Sequence, residues 1–213
     1  MDPNTPPRNA LEIADTLLGA FATAPTAVIS DNLDRLPGMV GLRPFHRMER
    51  QMVGRALTVR VPAGDNLYIH KALGIARPGD VVVIDAGGAT DRAVIGGIMM
   101  EIAQSRQLSG YVIDGAIRDL RDISSNDFPV YARGVIHRGP YKHGPGAMNV
   151  PVTVGGQVVQ PGDIVVGDED GVVSFSPAIA EDLLAAVRAQ EAREEEIIRS
   201  IRAGTYTNAY TKS

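Results

Sequence analysis

The chain contains no cysteine, which excludes a disulfide framework, a thiolate metal site and a cysteine nucleophile together. It has no apolar run approaching the roughly 20 residues that span a membrane, and its opening stretch MDPNTPPRNA carries no signal-peptide core. The expectation is a cytoplasmic protein with no membrane partner. A third absence is clustered positive charge. The 21 Lys and Arg residues are spread along the chain, 25 Asp and Glu outnumber them, and the net charge is -4. A nucleic-acid footprint needs basic residues gathered on one face, so no nucleic-acid partner is expected.

What is present suits one α/β core, since 213 residues would make two rather small domains. Residues 1–9 are Pro-rich and polar and read as a flexible tail; residues 10–213 read as a single domain. ALEIADTLLGAF has helical spacing, and SDNLDRL reads as a second helix with Ser30 as N-cap. MVGRALTVRV alternates as a strand does, and NLYIHKALGIA is helical up to Pro78. PGDVVVIDA and PGDIVVGD each combine a Pro-Gly turn with an apolar strand. RAVIGGIMMEIAQSRQ reads as a helix with two glycines near its start, GYVID as a strand, AIRDLRDIS as a short helix or loop, and PVYARG as a strand. VTVGGQVVQPGD reads as a hairpin turning at Gly155-Gly156, and GVVSF as the last strand. Ser176, Pro177, Glu181 and Asp182 open a long helix over about 177–203, which Gly204 closes. Its apolar face covers either the sheet or a neighbouring subunit.

Alternating strands and helices place ligands beyond the carboxyl ends of the strands, and two such ends carry chemistry. Gly96 and Gly97 let backbone amides approach an anion closely, although a lone glycine pair is more often there for tight helix packing. The second end lies in VIDGAIRDLRDI. Arg118 offers a planar fork for a carboxylate, and Asp119 a hard oxygen for a divalent cation. A local surface ion pair is the plainer alternative.

The run GGIMMEIAQSRQLSGYVIDGAIRDL, then FPVYARGVIHRGP, NVPVTVGGQVVQPGDIVVGDEDGVV and a charged C-terminal helix, resembles one known family. It is that of the RraA-like proteins and the 4-hydroxy-4-methyl-2-oxoglutarate / 4-carboxy-4-hydroxy-2-oxoadipate aldolases. The resemblance implies a single swivelling-type α/β domain, with a central β core flanked by helices, assembled as a homotrimer or homohexamer. It also implies a class II pyruvate aldolase that uses Mg²⁺ or Mn²⁺, acts on a small 2-oxo acid and decarboxylates oxaloacetate as a side activity. The amides of Gly96, Gly97, Ile98 and Met99 would bind the pyruvate carboxylate, Arg118 would contact substrate, and Asp119 would hold the metal. One position departs from the family pattern of an acid, twenty residues, then Arg-Asp: the acid's place is taken by Gly97. Glu101, one turn further on, could face the same way. Other groups considered are His137 and His143 as a metal pair, Lys71 and Lys142 as Schiff-base lysines, Glu194, Glu195 and Glu196 in a neighbouring subunit's site, and Asp31 at the site edge. The alternative function, from the same resemblance, is a non-catalytic oligomer that binds a protein partner such as a ribonuclease. A methyltransferase would need a glycine-rich cofactor loop after the first strand, which is not there.

Overall fold

The computed structural model describes residues 15–35 and 38–208; the reading of residues 1–9 as a tail and the first part of the helix read over 10–21 lie outside them. In chain order, the first elements are α1 (Asp15–Gly19), a 3₁₀ turn, α2 (Thr26–Asp31), β1 (Arg43–Pro44), β2 (Met52–Arg60), α3 (Leu67–Ile75), β3 (Asp80–Asp85), β4 (Ala93–Ile95) and α4 (Gly97–Ser105). There follow β5 (Gly110–Ile117), α5 (Leu120–Ser124), β6 (Val130–Val135), β7 (Ala147–Met148), β8 (Val152–Val154), β9 (Gln157–Val159), β10 (Ile164–Gly167), β11 (Val172–Phe175) and α6 (Ala180–Arg202). Among the described residues the main sheet runs β1-β6-β5-β3-β2-β10-β11, with β4 on β5 and β7 on β2. Its centre, β2-β3-β5-β6, is parallel.

The continuous apolar strands follow from that placement. In β3, Val82 and Ile84 enter a cluster with Leu57, Met100 and Ile113, while Val81 and Val83 enter a second with Val112 and Tyr131. A strand covered on both faces has no reason to alternate with polar residues. A third cluster joins β10 and β11 to α2 and to Leu183, Leu184 and Val187 of α6. The first half of the long helix therefore covers the sheet. In its second half, Ile197, Ile198 and Ile201 stay exposed.

Two local expectations are corrected. Ser30 does not cap a helix: α2 starts four residues earlier, and the Ser30 carbonyl accepts from Leu33 and Arg35 as the helix ends. The N-terminal acceptor comes from far along the chain, since Asp168 takes bonds from Thr26 N at 2.7 Å and Thr26 Oγ1 at 2.6 Å. The residues Ala93–Ile95, read as the start of a helix, form β4, because pairing with β5 buries all three. At the other end, Ser176 Oγ accepts from Ala178 N at 3.2 Å, and Pro177–Ile179 form a 3₁₀ turn that leads into α6.

His46 is a buried imidazole on this scaffold. Its Nδ1 accepts from Val130 N at 3.1 Å, its ring meets Tyr131 edge-on, and Nε2 has no partner among the described residues. Burial lowers its pKa, Arg50 adds to the effect, and the Val130 carbonyl, Asp127 and Glu169 oppose it. The unfolded chain takes up this proton near the ordinary imidazole value of about 6.5 while the folded chain resists it. The stabilisation is complete above that pH and declines as the pH falls towards the folded value. Wild type should thus lose melting temperature between about pH 7 and 5, and His46→Asn should flatten that part of the profile in calorimetric scans.

Candidate functional site

β4 and β5 leave the sheet side by side, and Arg118 N donates to Ile95 O at 3.0 Å, which ties the two exits together. After β4 the chain turns at Gly96, whose carbonyl starts α4 by accepting from Met99 N at 3.0 Å and Met100 N at 3.1 Å. After β5 it turns at Asp119, which holds φ 59 and ψ 42. That left-handed conformation costs a non-glycine residue on the order of 1 kcal/mol, with Asp among the types that tolerate it. From there the Asp119 carboxylate reaches the start of α4, where Oδ2 accepts from Gly97 N at 2.9 Å. Arg118 Nε lies 3.9 Å from the same oxygen, and both side chains are 42% exposed, open to a ligand.

Gly96 is required by space. A Cβ there would fall 2.5 Å from Asp119 Oδ2 and 3.1 Å from Arg118 Cγ, although its φ of -149 suits any residue. Gly97 is different: a Cβ would first meet Asp122 Oδ2 at 3.4 Å, then Asp119 at 3.7 Å. Two carboxylates therefore flank the position where the resemblance expects a third. Asp122 belongs to the charged stretch VIDGAIRDLRDI and carries no assigned role in the sequence, although its i, i+3 relation to Asp119 across the start of α5 is the available signal. Glu101, the substitute considered, is an exposed residue of α4.

A pocket of about 270 Å³ opens over these groups, lined by Gly96, Ile98, Met99, Arg118 and Asp119 together with Asn66, His70 and Lys142. Ile98 is 76% exposed at its mouth. Burial lowers the His70 pKa, and the neighbouring positive charge of Lys142 lowers it further; the charged residues that line the pocket are Arg118, Lys142 and Asp119. Asn66 is buried; its Nδ2 donates to Val94 O at 3.1 Å, and its Oδ1 has no partner among the described residues. That oxygen can accept from a ligand hydroxyl. A larger cavity of about 650 Å³ sits beside Gly79 and Ser109, at the amino ends of β3 and β5, where open α/β sheets do not gather ligands.

The remaining candidates lie apart from this pocket. His137 is exposed, and the His143 ring stacks on Tyr141 with centroids 5.5 Å apart; among the described residues no group of three or more His, Cys, Asp or Glu could hold a metal. Lys71 Nζ lies 4.1 Å over the Tyr68 ring. Gln190 Nε2 donates to Glu194 at 2.8 Å and to Asp31 at 3.1 Å, which joins α6 to α2. Glu195 is exposed, and Glu196 pairs with Arg199 at 3.1 Å.

Residues 26–174 match the sequence pattern of the family described as RraA-like, Aldolase/RraA. The chain belongs to the RraA-like family. This RraA-like chain is 41% identical over 182 residues to a Halalkalibacterium halodurans protein named "Putative 4-hydroxy-4-methyl-2-oxoglutarate aldolase", with 85% of this chain and 86% of the other covered. The crystal structure of an uncharacterized Pseudomonas syringae protein matches with a TM-score of 0.83 and 28% identity over 95% of each chain. The RNA-processing inhibitor RraA from Thermus thermophilis matches with a TM-score of 0.64 and 29% identity, over 71% of this chain and 92% of that one. The expected α/β fold, a central sheet with flanking helices and a long C-terminal helix, is the fold observed.

Proposed function

We propose that this pocket cleaves 4-hydroxy-2-oxo acids, such as 4-hydroxy-4-methyl-2-oxoglutarate, to pyruvate, and decarboxylates oxaloacetate as a side activity. The bond from Gly97 N to Asp119 Oδ2 carries the reading. Through it a helix N-terminus, a hard oxygen donor and the Arg118 fork meet within the length of one small oxo acid. In the cleavage, the bond between C3 and C4 breaks, the 4-hydroxyl gives up its proton, C4 becomes a carbonyl, and the electron pair passes to C3 as the enolate of pyruvate. With oxaloacetate the leaving fragment is CO₂. In either case a proton then returns to C3.

Of the four amides expected to hold the 1-carboxylate at the positive end of α4, those of Gly96, Gly97 and Ile98 would do so, while Met99 N already donates to Gly96 O within the helix. Arg118 would pair with the charge that grows on the 2-oxo oxygen, a contact worth on the order of 3 kcal/mol when preorganised. Asp119, with Asp122 through water, would hold Mg²⁺ or Mn²⁺; such a sparse set of oxygens suits a cation that keeps most of its waters. When bound, that cation supplies Lewis-acid stabilisation of the enolate oxygen. Asp119 would release Gly97 N–H to the substrate as it turns to its own partner. The exposed Ile197, Ile198 and Ile201 are compatible with an interface to another copy of the chain, and a homotrimer or homohexamer is the assembly proposed.

Release of pyruvate from oxaloacetate and from 4-hydroxy-4-methyl-2-oxoglutarate, with Mg²⁺ or Mn²⁺ and then with chelator, tests this. No metal-dependent turnover of either substrate would end the aldolase reading. A second reading, a non-catalytic oligomer that binds a ribonuclease-type partner, is favoured by one residue, Gly97 in place of the acid. Gly97→Asp bears on both. A Cβ at Gly97 would stand in ordinary contact with Asp122 Oδ2 at 3.4 Å, and a third carboxylate should tighten Mn²⁺ binding by about fivefold, in line with a modest surface electrostatic gain. Titration calorimetry of the two proteins checks it.

A further inference from the structure

Asp65 takes no part in the proposed chemistry, yet it is buried at the turn between β2 and α3. Its Oδ1 accepts from Leu67 N at 2.9 Å; its Oδ2 accepts from His143 N at 2.6 Å and Gly144 N at 3.0 Å. Burial pushes its carboxyl up, but the amides of His143, Leu67 and Gly144 outweigh that and hold it below the usual carboxylate range. It therefore stays an anion throughout the neutral range.

The two amides on Oδ2 belong to the segment 138–146, which contains three glycines and two prolines and forms no helix or strand of its own before β7. Such a segment holds its shape only where other elements fasten it. Tyr141 N donates to Gly64 O at 2.8 Å, Asn66 N donates to Tyr141 O at 3.0 Å, and Arg92 Nη1 donates to Gly139 O at 2.9 Å. Among these contacts, the Asp65 carboxylate is the anionic one, and it grips the residue that directly follows Lys142. Lys142 and Pro140 are what the segment contributes to the pocket.

We infer that Asp65 is a positioning residue, whose carboxylate fastens the 138–146 loop so that the Lys142 charge is delivered to the pocket that Arg118 also lines. The inference rests on the aldolase reading of that pocket for its kinetic consequence. Hydrogen bonds to a charged acceptor are about twice as strong as neutral ones, so removing the charge loosens the loop, and a cation that contacts only the bound anion is felt in KM more than in kcat.

Asp65→Asn keeps the shape and removes the charge. The expected result is a rise of at least about tenfold in KM for oxaloacetate with kcat changed less than about threefold, and faster hydrogen exchange at the His143 and Gly144 amides. Because the effect passes through Lys142, adding Asp65→Asn to Lys142→Ala should change KM by less than about twofold. Equal factors in the two backgrounds, or unchanged exchange at those amides, would overturn the assignment. Should Asp65→Asn fail to fold, Asp65→Glu is carried through the same cycle, with the same coupling expected at smaller size. Should wild type turn over neither substrate, the aldolase reading fails separately. The cycle is then read by calorimetry of oxalate binding with Mg²⁺, where dependence on Asp65 in the presence of Lys142, and its loss without Lys142, still decides the matter.

Discussion

Asp119→Asn is expected to lower kcat for oxaloacetate decarboxylation by at least about a thousandfold while the melting temperature moves by no more than about 2 °C. The two halves of this expectation have separate physical grounds. Asn is, with Asp, among the residue types that accept the left-handed conformation held at this position, and its side-chain oxygen can go on accepting from Gly97 N. The fold has little to lose, because the Arg118 contact is long, at 3.9 Å, and half-open to water, where an ion pair contributes roughly 0–1 kcal/mol. What disappears is the negative oxygen that would anchor a hard cation. Asp119→Ala should be equally inactive but less stable by about 1 kcal/mol, since alanine lacks the local acceptor and fits this backbone less well. Turnover near wild type in Asp119→Asn would remove Asp119 from the chemistry. Cooperative unfolding at a much lower temperature would make Asp119 a fastener between α4 and β5 and nothing more.

The difference between what could be read from the residues and what could not follows the range of the interactions. β3 and β5 were legible because burial on both faces leaves a continuous apolar run. The long α6 was legible because Ser176, Pro177 and Gly204 punctuate it locally. The start of α2 was not, since its acceptor, Asp168, lies 142 residues away. β4 was missed because three apolar residues before a glycine fit either a strand or the first turn of a helix, and pairing with β5 decides between them. At the site, Gly96, Gly97, Arg118 and Asp119 were picked out as two separate strand ends, and only the fold joins them through Gly97 N and Asp119 Oδ2. Asn66, His70 and Lys142 come to the same pocket from a turn, a helix and a glycine-rich loop. No motif links three such elements, so in the sequence Lys142 reads only as a candidate Schiff-base lysine and Asn66 and His70 carry no signal.

Gly96→Ala is the second large effect expected, and its reasoning is purely steric. The new methyl carbon would lie 2.5 Å from Asp119 Oδ2 and within 3.2 Å of Arg118 Cγ and Nε, far inside ordinary contact. Since the backbone at Gly96 is extended, alanine strains no dihedral angle; the Asp119 and Arg118 side chains have to move. In the proposed reaction these groups would hold the reacting atoms, and a shift near 1 Å there should lower kcat/KM by about a hundredfold, while the melting temperature should fall only slightly, because both displaced side chains already face water. Gly97→Ala, one residue along, provides the contrast. Its Cβ meets nothing closer than 3.4 Å, and alanine is the better helix former by up to about 1 kcal/mol, so a higher melting temperature and a much smaller loss of rate are expected. Two adjacent glycines with the same substitution should thus separate the close approach of Asp119 from helix propensity. If steady-state kinetics gave equal losses for the two variants, the close contact between Gly96 and Asp119 would not be what shapes the site.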